Sequence, residues 1–273
     1  MNQGQLKVTE EEFEKFQKFI QAKIGLKFPE NKKTLLESRL SVHISRLGFE
    51  SYGEYFDFLE TQSEFSEEIE FVIDKITTHT TSFFREDHHF NFLTSQGIDI
   101  IQKNFGKSTV IKFASLGSST GEEMYTISMV LYPLKKNGKI KDYSIDAFDI
   151  SKYALLNAKE GRFRLETQSS IPTQFQNLFK VADNKLLADQ ALKNNMKFFM
   201  SNIAKKNQRF PDNYHIVFCR NTLIYFNKTL QQNVIDNIAN ILLPGGLYFM
   251  GHSESLNGLT HNFKRVEPTI YLR

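Results

Sequence analysis

The stretch ASLGSSTGEEMY, residues 114–125, joins an apolar run to a helical one through a turn punctuated by Gly117 and Gly121. TVIKFASL, which leads into it, reads as a strand. A helix is predicted from Glu122 to about Leu134. Strand, glycine turn and helix in that order are the start of an α/β unit, and in open α/β sheets ligands sit beyond the carboxyl ends of the strands.

Working outward, YSIDAFDI is a second strand and SKYALLNAKEG a second helix. KFFMSNI, YHIVFCRN and GGLYFMGH are further strands, with the helix KTLQQNVIDNIANILLPGG between the last two. Such alternation predicts a doubly wound, mostly parallel sheet. FKRVEPTIYLR at the end reads as an antiparallel hairpin around Pro268. Upstream the pattern differs. Thr9–Glu12 is a capping box before a helix stopping at Gly25, and Leu36, Leu40, Ile44 and Leu47 recur at helical spacing. Residues 1–80 are therefore expected to form a helical domain and 81–273 the α/β domain.

The turn limits its ligand. A triphosphate loop needs Gly-Lys-Ser/Thr here, whereas this turn carries Thr120, Glu122 and Glu123. Two carboxylates repel a polyphosphate and suit a cation such as a sulfonium. They are equally readable as first-turn acids favoured by the helix dipole. Asp149 ends the second strand, where a carboxylate can accept bonds from ribose hydroxyls. Ribose and a positive group together point to S-adenosylmethionine.

Composition sets outer bounds. The chain has 273 residues, enough to bury a substantial core. There is no apolar run of membrane-spanning length and no secretory leader at the N-terminus, so a cytoplasmic protein, not embedded in a membrane, is expected. Cys219 is the only cysteine, which excludes an internal disulfide and a multi-cysteine metal site; a buried inert thiol is expected. A net charge of +3 permits an acidic partner without demanding nucleic acid.

Four ordered motifs carry a family resemblance. SSTGEEMYTISM resembles the STGEEPYSIAM signature of the bacterial chemotaxis receptor methyltransferases (the CheR type), and ITTHTTSFFRE resembles their TTNxTxFFRE. HIVFCRNTLIYFNKTLQQ and LLPGGLYFMGHSES are similar to their late motifs, and LLESRL…LG to their helical domain. The resemblance spans nearly the whole chain. It implies a class I S-adenosylmethionine-dependent methyltransferase fold, with a helical substrate-recognition domain and a small subdomain inserted at 172–198. It implies methyl-ester formation on receptor glutamates, in sensory adaptation. By the same resemblance Arg85 and Tyr225 line the methyl-transfer site. His79, Thr81, Arg85, Glu123, Asp149, Asn202, Ile203, Arg220 and Asn221 are the cofactor-side positions. Asn202 and Ile203 would flank the adenine.

The chain also departs from that pattern. His79 stands where the family has Asn, which puts cofactor affinity in question. Ser151 replaces the second Asp of the usual DID. The second helix keeps Arg39 and Arg46 but has His43 and Ser45 at typically basic places, so contact with acidic receptor helices would rest on Arg39 and Arg46. No glycine occurs between Gly161 and Gly245, and KVADNKL is short, so docking of a receptor C-terminal tail by strand addition is not expected. His88 and His89 read as helix packing or surface, and no metal cluster is expected. A monomer is expected. A non-catalytic scaffold on the same fold is the alternative; retention of Arg85 and Tyr225 argues against it. A nucleic-acid amino-methylating enzyme ranks lower, because CRNTLIYF replaces the Asn/Asp-Pro-Pro-Tyr/Phe motif of that class.

Overall fold

A computed structural model describes residues 6–26, 28–63 and 66–273. The first five residues, part of the N-terminal stretch read above as having no leader, lie outside them. The chain forms two compact units. One runs to Thr78 and includes Tyr225–Asn227; the other comprises His79–Ile224 and Lys228–Arg273.

The first unit is built on four helices, α1 (Glu10–Ile24), α2 (Lys33–Arg46), α3 (Tyr52–Thr61) and α4 (Glu67–Ile76). Thr9 Oγ1 accepts the Glu12 N–H while the Glu12 carboxylate accepts the Thr9 N–H at 2.8 Å, so two orphan donors satisfy each other. Phe16, Leu36, Leu40, Ile44, Tyr55 and Phe56 are buried at its centre, with the Phe16 and Phe56 rings stacked at 4.8 Å. The polar side of α2 is tied inward. Arg39 Nη1 donates to the carbonyls of Lys75 (2.6 Å) and Thr77 (2.9 Å), a cation on the negative end of α4. His43 Nε2 meets Glu68 Oε1 at 2.7 Å, and its ring stacks on Phe71. Arg46 is exposed, with Nη2 3.2 Å from His43 Nδ1.

The second unit carries strands β1 (Val110–Leu116), β2 (Asp142–Asp149), β3 (Arg162–Arg164), β4 (Phe179–Ala182), β5 (Lys185–Ala188), β6 (Met196–Met200), β7 (Tyr214–Cys219), β8 (Leu242–Met250), β9 (Lys264–Glu267) and β10 (Ile270–Leu272). Its helices are α5 (His88–Phe92), α6 (Ile98–Phe105), α7 (Glu122–Lys136), α8 (Lys152–Glu160), α9 (Thr173–Gln176), α10 (Gln190–Lys193) and α11 (Lys228–Ile241). Seven strands form one sheet in the order β6-β2-β1-β7-β8-β10-β9. The first five are parallel, and the terminal hairpin β9–β10 closes the edge antiparallel. Every residue of β7 is buried, which requires cover on both faces and explains its unbroken apolar run. Helices α7 and α8 pack against β2, and α6 and α11 against β8. Stacked Phe90, Phe218 and Phe249 run through the core, the last two 4.3 Å apart. This is the doubly wound sheet that the strand–helix alternation predicts.

Strands β3, β5 and β4 form a separate antiparallel sheet. Phe163 and Phe179 of that sheet pack on Phe83 at 4.8 and 5.6 Å. No helix of the described residues is long and apolar enough to cross a membrane.

Candidate active site

The register of the main sheet assembles the site. Phe148, Leu116, Cys219 and Met250 pair in one row across β2, β1, β7 and β8. The residues after them, Asp149, Gly117, Arg220 and Gly251, therefore leave the sheet along one edge. The chain order reverses between β1 and β7, so this edge holds the crevice where α/β sheets bind ligands.

Gly117 has φ +77, and a Cβ there would lie 2.5 Å from Thr222 Oγ1. Only glycine lets the turn after β1 and the loop after β7 approach so closely. Asp149 fastens that turn. Its Oδ2 accepts the Ser119 N–H at 2.7 Å and its Oδ1 the Ser151 N–H at 2.9 Å. Burial pushes the Asp149 carboxyl above its ordinary range, against the pull of these N–H groups and of His79. A carboxylate offers about four lone-pair sites, and these N–H groups together with that of Ile150 use three of them. His79 Nδ1 lies 3.4 Å from Ser119 Oγ on the same turn.

Arg220 is the hub of the β7 side. Buried, it bridges Glu123 Oε2 (3.1 Å) and Glu86 Oε2 (3.3 Å), and it donates to the Arg85 carbonyl. Ser115 Oγ donates to the other Glu123 oxygen at 2.8 Å. The Glu123 charge is thus met by Arg220 inside the protein. Burial still pushes Glu123 upward, with Arg220 and Ser115 opposing it. Burial also works against the Glu86 charge, but Arg220, Asn221 and the His252 N–H outweigh it and hold Glu86 below the usual carboxylate range. Glu122 is buried and takes the Thr120 hydroxyl at 2.6 Å.

The loop after β7 is held from below by a residue that the sequence reading did not single out. Buried Glu254 accepts four backbone N–H groups, those of Asn221 (2.9 Å), Thr222 (2.6 Å), Leu223 (2.6 Å) and Gly251 (2.8 Å). These fix Asn221 at φ +56, with its Nδ2 3.2 Å from Glu86 Oε1. A Cβ on Gly251 would sit 2.6 Å from the Asn221 nitrogen, so the approach needs glycine.

Arg85 lies between two left-handed residues, Phe84 (φ +54) and Glu86 (φ +56). Non-glycine residues pay strain there, and such strain clusters at functional sites. It is held by the Phe84 N–H on Thr126 Oγ1 (3.2 Å), by Phe84 stacked on Phe175 and by the Glu86–Arg220 pair. Arg85 Nη1 donates to the Thr80 carbonyl at 3.0 Å; among the described residues it has no ion pair with a carboxylate.

The remaining positions are dispersed. Thr81 is half-buried in the extended segment before this turn. Asn202 Oδ1 accepts the Ala204 N–H at 3.0 Å, in the turn after β6, and buried Ile203 gives its carbonyl to Asn237 Nδ2. Tyr225, half-buried, belongs by its contacts to the helical unit, where Lys32 Nζ lies 5.3 Å from its ring centroid. Cys219 is buried, and burial pushes its thiol well up. His88 and His89, expected as helix packing or surface, come together with His252 beside Glu86.

Residues 79–272 match the family model described as CheR methyltransferase, SAM binding domain, and residues 11–77 match the CheR methyltransferase all-alpha domain. The chain is 31% identical over 271 residues to the chemotaxis protein methyltransferase of Borreliella burgdorferi, covering 97% of this chain and 95% of that one. It is 30% identical to the proteins of the same name from Salmonella typhimurium and Escherichia coli, covering 97% of this chain and 91% and 92% of theirs. The chain belongs to the CheR methyltransferase family.

Proposed function

We propose that the chain forms methyl esters on glutamate side chains of chemotaxis receptors, in the cytoplasm, with S-adenosylmethionine as donor. The residues at the sheet edge fit that cofactor. Asp149 keeps acceptor capacity for a ribose hydroxyl, the glycine turn allows close backbone approach, and Ser118 Oγ and Arg220 Nε are buried without a hydrogen-bond partner. Bound, the cofactor supplies an electrophilic methyl group on a sulfonium. His79, Asp149 and the turn would hold its nucleoside side; Asn202 and Ile203 would flank the base.

The observation that carries the reading is Arg85, a guanidinium on a strained turn with no carboxylate partner among the described residues. A substrate glutamate arrives ionised, its reference pKa being about 4.3, so the chain needs no general base. The remaining task is alignment, which a planar guanidinium performs on a carboxylate through paired hydrogen bonds. Tyr225 is proposed as a positioning hydroxyl.

The test is incubation with labelled S-adenosylmethionine and receptor fragments. Alkali-labile label is expected; alkali-stable label would overturn ester formation. Arg85→Ala should lose more kcat/KM than Arg85→Lys, which keeps the charge without the fork, and both should lose more turnover than cofactor affinity. Near-normal transfer by folded Arg85→Ala would remove Arg85 from the mechanism.

A further inference from the structure

His88 and His89 begin α5, and His252 follows β8. One ring nitrogen from each lies within 4.8 Å of the others. His88 Nε2 and His252 Nε2 are 2.9 Å apart. The third ring shows what the group is prepared for. His89 is fully buried, and its Nε2 lies 2.8 Å from Thr269 Oγ1. Thr269 Oγ1 also lies 2.6 Å from the Pro268 carbonyl, which can take its hydroxyl proton and leave Thr269 to accept from His89. In that arrangement His89 carries its proton on Nε2, and Nδ1 presents a lone pair. Nδ1 is buried and has no hydrogen-bond partner. Burial and the neighbouring Arg220 keep the ring neutral, its pKa pushed down to about 2. Glu86 Oε2 lies 3.6 Å from this nitrogen.

A buried imidazole whose far nitrogen is locked by a hydroxyl, with its near nitrogen unprotonated, is the arrangement that metal-binding histidines show. We propose that His88 Nε2, His252 Nε2 and His89 Nδ1 form a site for a divalent transition ion of the zinc type, with Glu86 Oε2 or water as fourth ligand. Three imidazoles suit such an ion, whereas Mg²⁺ and Ca²⁺ prefer oxygen. Tetrahedral bonds of about 2.0–2.1 Å place ligand nitrogens about 3.3 Å apart, so the His88–His252 pair must open by a few tenths of an ångström and the wider separations, which run up to 4.8 Å, must close. Both rings can do so, because His88 is half-buried and His252 exposed, which also leaves an entry path. The opposing charge is Arg220, which already has Glu86 and Glu123 as partners. An ion here would tie α5 to the end of β8 and, through Thr269, to the β9–β10 turn.

The experiment is titration of the untagged chain with Co²⁺, read as the visible absorption of a tetrahedral cobalt site, and then with Zn²⁺ as competitor. One equivalent should bind, Zn²⁺ should displace it, and Zn²⁺ should raise the melting temperature. His88→Gln and His252→Gln, at positions open to solvent, should each weaken binding by roughly tenfold or more. Thr269→Val, which releases the His89 tautomer, should weaken it by roughly tenfold without touching the ion. No cobalt spectrum, or unchanged affinity in both glutamine variants, would overturn the proposal. A thiolate-to-cobalt band would place the ion at Cys219 and overturn it equally.

Discussion

Glu254 shows how one residue fixes the geometry of the site without facing a ligand. Its two oxygens take four N–H groups from two loops, and Asn221 and Gly251 meet at the same oxygen. Glutamine keeps the shape but replaces one oxygen by an NH₂ that cannot accept. Glu254→Gln should therefore orphan two buried donors at about 1–3 kcal/mol each, a loss of roughly 2–6 kcal/mol in a urea unfolding experiment. A loss below about 1 kcal/mol would show that the loop after β7 is held by something else. Part of this site is legible in the sequence. Strand ends can be read from apolar runs, so Gly117, Asp149 and Arg220 can be placed on one edge of the sheet. Their partners cannot be read so. Nothing near FFRE says that Glu86 meets an arginine 134 positions later, and nothing near GHSES says that Glu254 reaches back to the preceding loop. Those pairings arise from sheet register, which a local pattern does not encode.

At the scale of elements, the strand–helix alternation is legible because buried parallel strands are unbroken apolar runs and helices carry caps. The capping box at Thr9 and the stops at Gly25 and Gly161 do this work locally. The small sheet is less so, since its strands are only three or four residues long. The hairpin β4–β5 turns through Asp183 (φ +50) and Asn184 (φ +55), a two-residue loop with both centres left-handed. Asp and Asn are the residues besides glycine that tolerate this. The tight turn adds no chain beyond the strands. Four-residue β4 lies at the edge of its sheet, and alternate residues alone turn their polar groups outward, so an added strand gains few hydrogen bonds. A receptor C-terminal pentapeptide should show no measurable binding in calorimetric titration. Micromolar affinity would mean that this edge is sufficient as it stands.

For the molecule as a whole, a net charge of +3 gives weak long-range attraction to an acidic receptor, so recognition would depend on where the few available cations lie. Of the two arginines on α2 proposed to meet receptor helices, Arg39 already donates to the carbonyls of Lys75 and Thr77, and Arg46 is exposed beside His43. Their substitutions should consequently separate. Arg39→Ala removes a cation from the end of α4 and should lower the thermal stability of the helical unit by roughly 0.3–1 kcal/mol. Arg46→Glu reverses an exposed charge and should leave stability nearly unchanged while raising KM for the receptor fragment. The KM effect is electrostatic, so it should shrink as ionic strength rises from about 0.1 M to about 1 M and the Debye length falls from about 10 to about 3 Å. Equal KM for wild type and Arg46→Glu at low salt would exclude this arginine from receptor recognition. A KM difference that persists undiminished at high salt would point to a close, desolvated contact in place of steering across solvent.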